Sequence, residues 1–315
     1  MPREFLHNHR QFGDLIRIVA DERRIVPALV EKDYWIMQSL YGLQQLGMAF
    51  QLKGGTSLSK GYGLIHRFSE DIDIRIEPPA DWKVMAGRNH DKPAHARSRR
   101  DFFDRLAGTI VIDGIRAAER DEAFDDVLRY RNGGVRLIYA SANGSVEGLK
   151  DGILLEVGFD DVTPNALRDI SSWAYDFAAS RVEILDNRAL AVPCYDPGYT
   201  LVEKLQAIST KFRQQQETGR FPPNFMRHYY DVASLLQDEA VQAFVGTPEY
   251  IAHKKKRFPA ADNPVVAENE AFRMIDADTR AALQKAYAAS SALYYDGQPA
   301  FEDLLERIAV WAPRL

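Results

Sequence analysis

The feature that most constrains the fold of this chain is the alternation of isoleucine with charged residues over residues 71–76. A hydrophobic period of two predicts a β-strand with one buried and one polar face. The three isoleucines then enter the core, while Asp71 and Asp73 share the opposite face. Two neighbouring carboxylates repel each other unless a cation lies between them, so the pair favours a divalent metal site.

A glycine turn precedes this strand. The apolar run Met48–Leu52 leads into Lys53, Gly54 and Gly55, and residues 56–60 are able to open a short helix. A turn from strand to helix presents backbone N–H groups to an anion, and the side chains of Ser57 and Lys60 are able to assist. Each half alone is common in unrelated proteins. Together they predict a site for a nucleoside triphosphate, although the spacing is neither a GxxxxGK[ST] loop nor a dinucleotide fingerprint.

The order Gly54-Gly55-Thr56-Ser57, then Arg67-x-Ser69-x-Asp71-Ile72-Asp73, resembles the signature of the AbiEii/AbiGii toxin family. This family of nucleotidyltransferases includes the MenT toxins and belongs to the DNA polymerase β-like superfold. The resemblance implies an α/β (α+β) nucleotidyltransferase domain over residues 1–195. It also implies a mainly helical C-terminal domain over residues 196–315.

Three downstream segments extend the resemblance. Glu156 interrupts the apolar run Ile153–Phe159, where a carboxylate is costly unless it is paired or lies on a wet face. On a strand beside the aspartates, it would be the third metal ligand that the superfold uses. In the helical part, Lys204 lies in a segment similar to the family's Glu-Lys-Leu-x-Ala, whose lysine faces the active site. Residues 227–232 resemble Arg-Asp-x-Tyr-Asp-Leu, with Asp231 as the essential second acid and His228 in place of the first.

These observations predict three sets of site residues and a reaction. The catalytic set is Ser69, Asp71, Asp73, Lys204 and Asp231; the nucleotide-binding set is Gly54, Gly55, Thr56, Ser57, Lys60, Arg67 and Lys204; the metal ligands are Asp71, Asp73 and Glu156. The cofactor is Mg²⁺ and the substrate an NTP, from which NMP passes to an RNA acceptor. Resemblance to the MenT branch implies that the acceptor is the 3′ end of tRNA, that an antitoxin is the partner, and that phosphorylation of the serine matching Ser69 silences the toxin.

The composition indicates which cellular compartment and which partners we expect for the chain. Cys194 is the only cysteine, which leaves no internal disulfide or cysteine-based zinc cluster and fits a reducing compartment. The N-terminus lacks a signal sequence, and no apolar run is long enough to span a membrane, so we expect a cytoplasmic protein without a membrane partner. At a net charge of −5, the chain needs a local basic patch to meet RNA. The candidate patch lies within the basic run 88–105, at Arg97, Arg99 and Arg100, although a solvated helix face is the default explanation for such a run.

Coarser patterns predict the remaining elements. Residues 13–47 read as two helices broken at Pro27, strands are expected at 127–130 and 135–140, and the cluster 253–257 reads as a solvated loop. The segment 31–35 is similar to one found ahead of the glycine motif in the family and is a candidate contact on the nucleotide side.

Other functions remain open from the sequence. A glycosyltransferase also binds a metal–nucleotide complex through Asp-x-Asp, usually without Gly-Gly-Thr-Ser just upstream. A nucleotidyltransferase that modifies a protein would share every catalytic residue with one that modifies RNA. A pseudoenzyme acting as a binding module would have lost at least one of the carboxylates, and all of them are present here.

Overall fold

The computed structural model describes residues 4–144, 151–222 and 224–315. Its contacts divide the chain into two compact units. The first contains residues 1–62 and 68–195, and the second contains residues 63–67 and 196–315. The second unit thus includes a five-residue segment that comes just before residues 68–73 in the sequence.

The first unit is built on a mixed seven-stranded sheet. The strands are β1 Phe50–Lys53, β2 Asp71–Ile76, β3 Ile115–Asp121, β4 Asn132–Tyr139, β5 Ile153–Gly158, β6 Asn165–Ile170 and β7 Ala189–Tyr195. Their order across the sheet is β3-β4-β5-β2-β1-β7-β6. The pairing of β2 with β5 is parallel, and the pairing of β2 with β1 is antiparallel. The strand that carries both aspartates therefore lies at the centre of the sheet.

The first unit also contains helices, two of which precede β1 in the sequence. They are α1 Phe12–Arg23, α2 Pro27–Gln45, α3 Gly54–Thr56, α4 Pro93–Thr109 and α5 Trp173–Ala179, and α3 continues as a π-helical turn, Ser57–Gly61. Helix α2 begins with Pro27, whose fixed φ and missing N–H suit the first helical position. Within this helix every residue from 31 to 40 is buried. Helix α2 is therefore a core element of the unit although it contains three charged residues in sequence.

The second unit is helical. Its helices are α6 Pro197–Thr218, α7 Arg227–Leu235, α8 Glu239–Phe244, α9 Pro248–Arg257, α10 Glu270–Arg273, α11 Ala277–Ala288 and α12 Phe301–Trp311. Helix α6 is closed at both ends: the Asp196 carboxylate accepts hydrogen bonds from the first-turn N–H groups of Gly198 and Tyr199, and Gly219 ends the helix at φ +68°. The predicted apolar stripe of α6 is buried as expected, at Val202, Leu205, Ile208, Ser209 and Phe212.

The mixed α/β fold class is confirmed, while two local expectations are wrong and one strand was not predicted. Residues 127–130 form a turn, because the preceding Asp126 accepts hydrogen bonds from the N–H groups of Leu128 and Arg129. The strand beside β4 is β3, which pattern analysis did not find because its polar and apolar residues do not alternate cleanly. The cluster 253–257 is the last part of helix α9 rather than a loop. No helix in the described part of the chain combines the length and the apolar composition required to cross a membrane.

Candidate active site

The polar face of the central strands brings the predicted carboxylates together. In β2 the isoleucines are buried while Asp71 and Asp73 are partly exposed, as the alternation predicts. Asp73 pairs with Glu156 of β5 in a parallel register and with Lys53 of β1 in an antiparallel one. Laterally paired residues of neighbouring strands lie on the same face of a sheet. The polar face therefore presents three carboxylates on two adjacent strands, with a lysine on the third.

The glycine turn lies directly against one of these carboxylates. Gly54 has φ +70°, and a Cβ atom there would be 2.1 Å from Oδ2 of Asp73. Both the backbone conformation and the close approach require glycine. The Thr56 hydroxyl donates a hydrogen bond of 2.6 Å to the carbonyl oxygen of Asp71. The predicted triphosphate turn and the start of the aspartate strand are thus held to each other, and Gly55 and Ser57 of the turn are buried.

The three carboxylates suit a hard divalent cation, both because of their oxygen atoms and because of where the backbone places them. Carboxylate oxygens are the ligands that Mg²⁺ prefers, and Asp71, Asp73 and Glu156 share one sheet face. Across the three ranges that the structure describes, no group of three or more His, Cys, Asp or Glu side chains converges closely enough to hold a metal ion. The assignment of these three residues as metal ligands stays a prediction, supported by the strand register.

Lys60, predicted to contact the triphosphate, forms an ion pair with a buried carboxylate. Its Nζ lies 2.7 Å from Oδ1 of Asp33 and 5.2 Å from the centre of the Trp173 ring. The other oxygen of Asp33 accepts a 2.8 Å hydrogen bond from the backbone N–H of Trp173. Burial raises the pKa of Asp33, and the Lys60 ammonium acts against that rise. Asp33 therefore joins the end of the glycine-turn helix to the beginning of α5.

Asp33 belongs to the segment 31–35, which the sequence suggested as a contact on the nucleotide side. The neighbouring Glu31 is also buried, and its carboxylate accepts hydrogen bonds from the backbone N–H groups of Ala142 and Asn143. Both acids are thus fully engaged in holding loops and helix ends. The sequence carries a signal for this structural role, because three successive charged residues stand among apolar residues within one predicted helix.

Ser69 lies in the short irregular segment between Arg67 and β2. It is partly exposed, while its neighbours Phe68 and Glu70 are buried. The serine hydroxyl stands two residues ahead of Asp71 in the sequence. Its assignments as a catalytic residue and as a phosphorylation site stay predictions.

In the second unit, three predicted site residues form one buried ion cluster. The Arg67 guanidinium donates to both oxygens of Asp231, from Nε at 2.6 Å and from Nη2 at 2.8 Å. The Lys204 ammonium lies 3.0 Å from Oδ2 of the same carboxylate. Asp231 is fully buried. Burial alone would raise the pKa of Asp231, but Arg67 and Lys204 outweigh it and hold this pKa below its ordinary value, so the group is a carboxylate at neutral pH.

Hydrogen bonds beside the ion cluster also hold the segment 63–67 against other residues of the helical unit. The backbone N–H of His66 donates to the Tyr230 hydroxyl at 3.0 Å, and the Tyr295 hydroxyl donates to the carbonyl of Ile65 at 3.3 Å. The backbone of Arg67 forms an isolated antiparallel β-bridge with that of Tyr294. The geometry gives Arg67 and Asp231 a structural partnership that the motif alone did not reveal, since the motif places them 164 residues apart.

His228 lies one turn before Asp231 on α7. Both of its ring nitrogens are shielded from solvent and have no hydrogen-bond partner among the described residues, although the residue as a whole is partly exposed. Burial and the nearby ammonium groups of Lys204 and Lys211 lower its pKa well below the usual value. His228 is therefore a neutral imidazole at physiological pH.

The predicted RNA contacts on α4 divide into two kinds. Arg97 and Arg100 are exposed, but Arg99 is completely buried. The Arg99 guanidinium donates to the carbonyl oxygens of Met85, His90 and Arg129. The prediction of an RNA contact at Arg99 is wrong, because every side-chain nitrogen of this arginine already binds the loops beside α4.

Comparison with known proteins gives one broad match. A family model described as "Nucleotidyl transferase AbiEii toxin, Type IV TA system" matches residues 35–307. No curated protein matches the chain.

Two solved structures have weak similarity to the chain. A nucleotidyltransferase-like antigenic protein from Paracoccidioides brasiliensis is 13% identical with a TM-score of 0.34; the match covers 73% of this chain and 95% of that one. The terminal uridylyl transferase 4 from Trypanosoma brucei, with bound UPU, is 12% identical with a TM-score of 0.28; the match covers 96% of this chain and 97% of that one.

Proposed function

Because the chain belongs to the AbiEii family of nucleotidyltransferase toxins of type IV toxin–antitoxin systems, we propose that it transfers NMP from an NTP to an RNA acceptor. The acceptor we favour is the 3′ end of tRNA, in the cytoplasm, with a cognate antitoxin that limits the toxicity. The observation that carries the proposal is the strand register, which sets Asp71, Asp73 and Glu156 on one polar face beside the Gly54 turn.

In this reaction the 3′ hydroxyl of the acceptor attacks the α-phosphorus of the NTP. A new oxygen–phosphorus bond forms, the bond between the α-phosphorus and its bridging oxygen breaks, and pyrophosphate leaves. The backbone at Gly54 and Gly55 would cradle phosphate oxygens, since these glycines leave no side chain in the way. A contact of Lys204 with the NTP stays a prediction from the resemblance of its sequence segment.

Asp71, Asp73 and Glu156 would hold Mg²⁺, which when bound neutralises phosphate charge and lowers the pKa of the attacking hydroxyl. These three carboxylates could not assist the reaction by their own charge. A negative face without a cation would repel both the triphosphate and the acceptor. The carboxylates therefore support the proposal only together with a divalent ion.

Exposed arginines supply the contact with the acceptor backbone. Arg97 and Arg100 lie on the solvent side of α4, where they are able to meet phosphates, and Arg100 is only loosely paired with Glu122 at 3.9 Å. Replacing both by glutamate should weaken RNA labelling and flatten its dependence on salt, because fewer counterions are released on binding.

The direct test incubates the purified protein with each α-labelled NTP, Mg²⁺ and total RNA, and separates RNA from protein afterwards. The proposal expects label in the tRNA fraction with one or more NTPs. Label in a polypeptide alone would overturn the RNA acceptor and favour a protein-modifying nucleotidyltransferase. In a parallel reaction with labelled nucleotide sugars, transfer from these and from no NTP would favour a glycosyltransferase.

A further inference from the structure

The turn at residues 126–130 of the first unit exposes two adjacent aliphatic side chains. Val127 keeps 71% of its surface exposed and Leu128 keeps 84%. Single exposed apolar residues are ordinary on a protein surface. Two successive ones in a turn form a continuous apolar surface, whose burial against a partner is favourable. We call Val127 and Leu128 the apolar tip.

Hydrogen bonds hold this turn in one conformation. The Asp126 carboxylate accepts hydrogen bonds from the backbone N–H groups of Leu128 and Arg129. The buried guanidinium of Arg99 donates twice to the carbonyl oxygen of Arg129, at 2.8 and 2.6 Å. The apolar tip is thus preorganised, so a partner that covers it costs the turn little conformational entropy.

Tyr130 ends the turn in a conformation that tyrosine rarely adopts. Its φ is +49°, in the left-handed region that favours glycine. Its backbone N–H donates to the carbonyl oxygen of Asp126, which closes the turn. Strained residues of this kind cluster at sites that contact ligands. Here the strained residue is aromatic and partly exposed, and it lies two positions after Leu128.

Exposed arginines lie beside the turn. The guanidinium carbon of Arg100 is 6.0 Å from the centre of the Tyr130 ring. Arg97 is three residues earlier on α4 and therefore on the same side of the helix, and Arg129 is exposed within the turn itself. One acid, Glu122, lies 3.9 Å from Arg100 and is itself exposed. The surface thus combines aliphatic and aromatic side chains with three cations.

Unpaired RNA matches this combination. Its phosphates are complementary to arginines, and the free faces of its bases pack against aromatic and apolar side chains. In a duplex the bases cover each other's faces, which leaves the apolar tip without a partner. A membrane also joins apolar and anionic groups, but two aliphatic side chains bury little area in it, and stable attachment takes a larger apolar face or a second anchor.

We infer that this turn contacts unpaired nucleotides of the RNA acceptor, with the apolar tip and Tyr130 packed against the faces of the bases. The phosphates of the same nucleotides bind the three exposed arginines, Arg97, Arg100 and Arg129. The inference rests on the proposed function, and it narrows the acceptor to RNA whose unpaired nucleotides reach the turn.

The test measures binding, separately from transfer, by fluorescence anisotropy with the full-length protein. The two probes are a fluorescein-labelled single-stranded RNA and an abasic strand with the same backbone. Val127→Ser combined with Leu128→Ser should weaken binding of the RNA at least about fivefold, the lower end for the loss of one base contact. Binding of the abasic strand should hardly change, because the tip has no base to meet there.

Tyr130 is tested by two substitutions of opposite expectation. Tyr130→Gly suits the positive φ but removes the ring, so it should weaken RNA binding by at least about fivefold as well. Tyr130→Phe keeps the ring and should bind RNA like the wild type. A purely structural role of the ring would change the affinities for the RNA and for the abasic strand equally.

A matched control comes from the other end of α4. Val111 is 79% exposed and follows the end of this helix, which lies about 15 Å along its axis from Arg99. Val111→Ser should leave both affinities unchanged. Thermal unfolding of each variant identifies a protein that has lost its fold, and Leu128→Ser alone serves if the double serine variant does not fold.

The dependence on salt separates the apolar from the cationic contacts. Arg100→Gln removes one phosphate contact and should lower the slope of log affinity against log salt by about 0.7. The double serine variant should bind RNA more weakly with the slope of the wild type, because it releases the same number of counterions.

The inference is wrong if the double serine variant binds RNA as tightly as the wild type, or if it loses affinity for the RNA and the abasic strand alike. Binding to phosphatidylserine-containing vesicles that this variant loses, with RNA affinity unchanged, would replace RNA by a membrane surface. Failure of the labelling assay to mark RNA, with the expected binding pattern intact, would reject the proposed function and support the RNA surface.

Discussion

The buried ion cluster of the helical unit gives the sharpest stability prediction. Asp231→Asn leaves the guanidinium of Arg67 and the ammonium of Lys204 without their carboxylate, while Asp231 itself is completely buried. Removing one partner of a buried ion pair costs about 3–5 kcal/mol, because the remaining charge is left uncompensated. A subsequent Lys204→Met should then recover part of the loss, since it removes one of the two cations. In the wild-type background the same change should not stabilise.

Hydrogen–deuterium exchange in increasing urea, read on peptides from α6 and α7, measures this change in the unit where it occurs. The control is Glu217→Gln, which removes an exposed partner of Arg213 on α6 and should leave exchange unchanged. The reasoning is refuted if Asp231→Asn is no more destabilising than this control.

The pH dependence of stability has a fixed sign. Since folding lowers the pKa of Asp231, the contribution of this carboxylate to the free energy of unfolding is complete above about pH 3.9, the pKa in the unfolded chain, and disappears as the pH falls further.

Three further predictions concern the first unit. Asp33→Asn and Lys60→Met should each destabilise, and a double-mutant cycle should give a coupling of about 0.5–3 kcal/mol, whereas additive losses would contradict the ion pair. Gly54→Ala should cost about 1–3 kcal/mol for its backbone conformation alone, and its melting temperature should rise in part in an Asp73→Ala background, where the carboxylate contacts are gone and only the contact with Cβ of residue 73, at 3.1 Å, remains. Arg99→Ala should destabilise by about 1–3 kcal/mol in chemical denaturation, because the carbonyls of Met85 and Arg129 lose the buried guanidinium that binds them, and an unchanged midpoint would contradict the burial of this arginine.

The strand at 71–76 could be predicted from the sequence because its period is short and complete. Three isoleucines at alternate positions leave only one face for the core, and the observed burial follows this pattern. The glycine turn was equally accessible, since a pair of glycines at the end of an apolar run marks a turn, and Gly54 indeed has a positive φ of +70°. Local chemistry decides both features.

The partners of the charged residues could not be read in the same way. Lys60 pairs with Asp33 across 27 positions and Arg67 with Asp231 across 164 positions, and no local pattern encodes such distances. The basic run of α4 shows the same limit: Arg97 and Arg99 are alike in sequence, but only the second turns toward the loops beside the helix. Exposure and pairing depend on tertiary packing.

The central claim is that the polar face of β2 and β5 carries out nucleotidyl transfer. Its most direct measurement is the initial rate of transfer from labelled NTP to tRNA by the wild type and by Asp73→Ala, with Glu119→Ala as the control acid on strand β3 of the same sheet. The account predicts that transfer is lost in Asp73→Ala, while the protein stays folded, and is retained in Glu119→Ala. Transfer by Asp73→Ala at the rate of the wild type would contradict it.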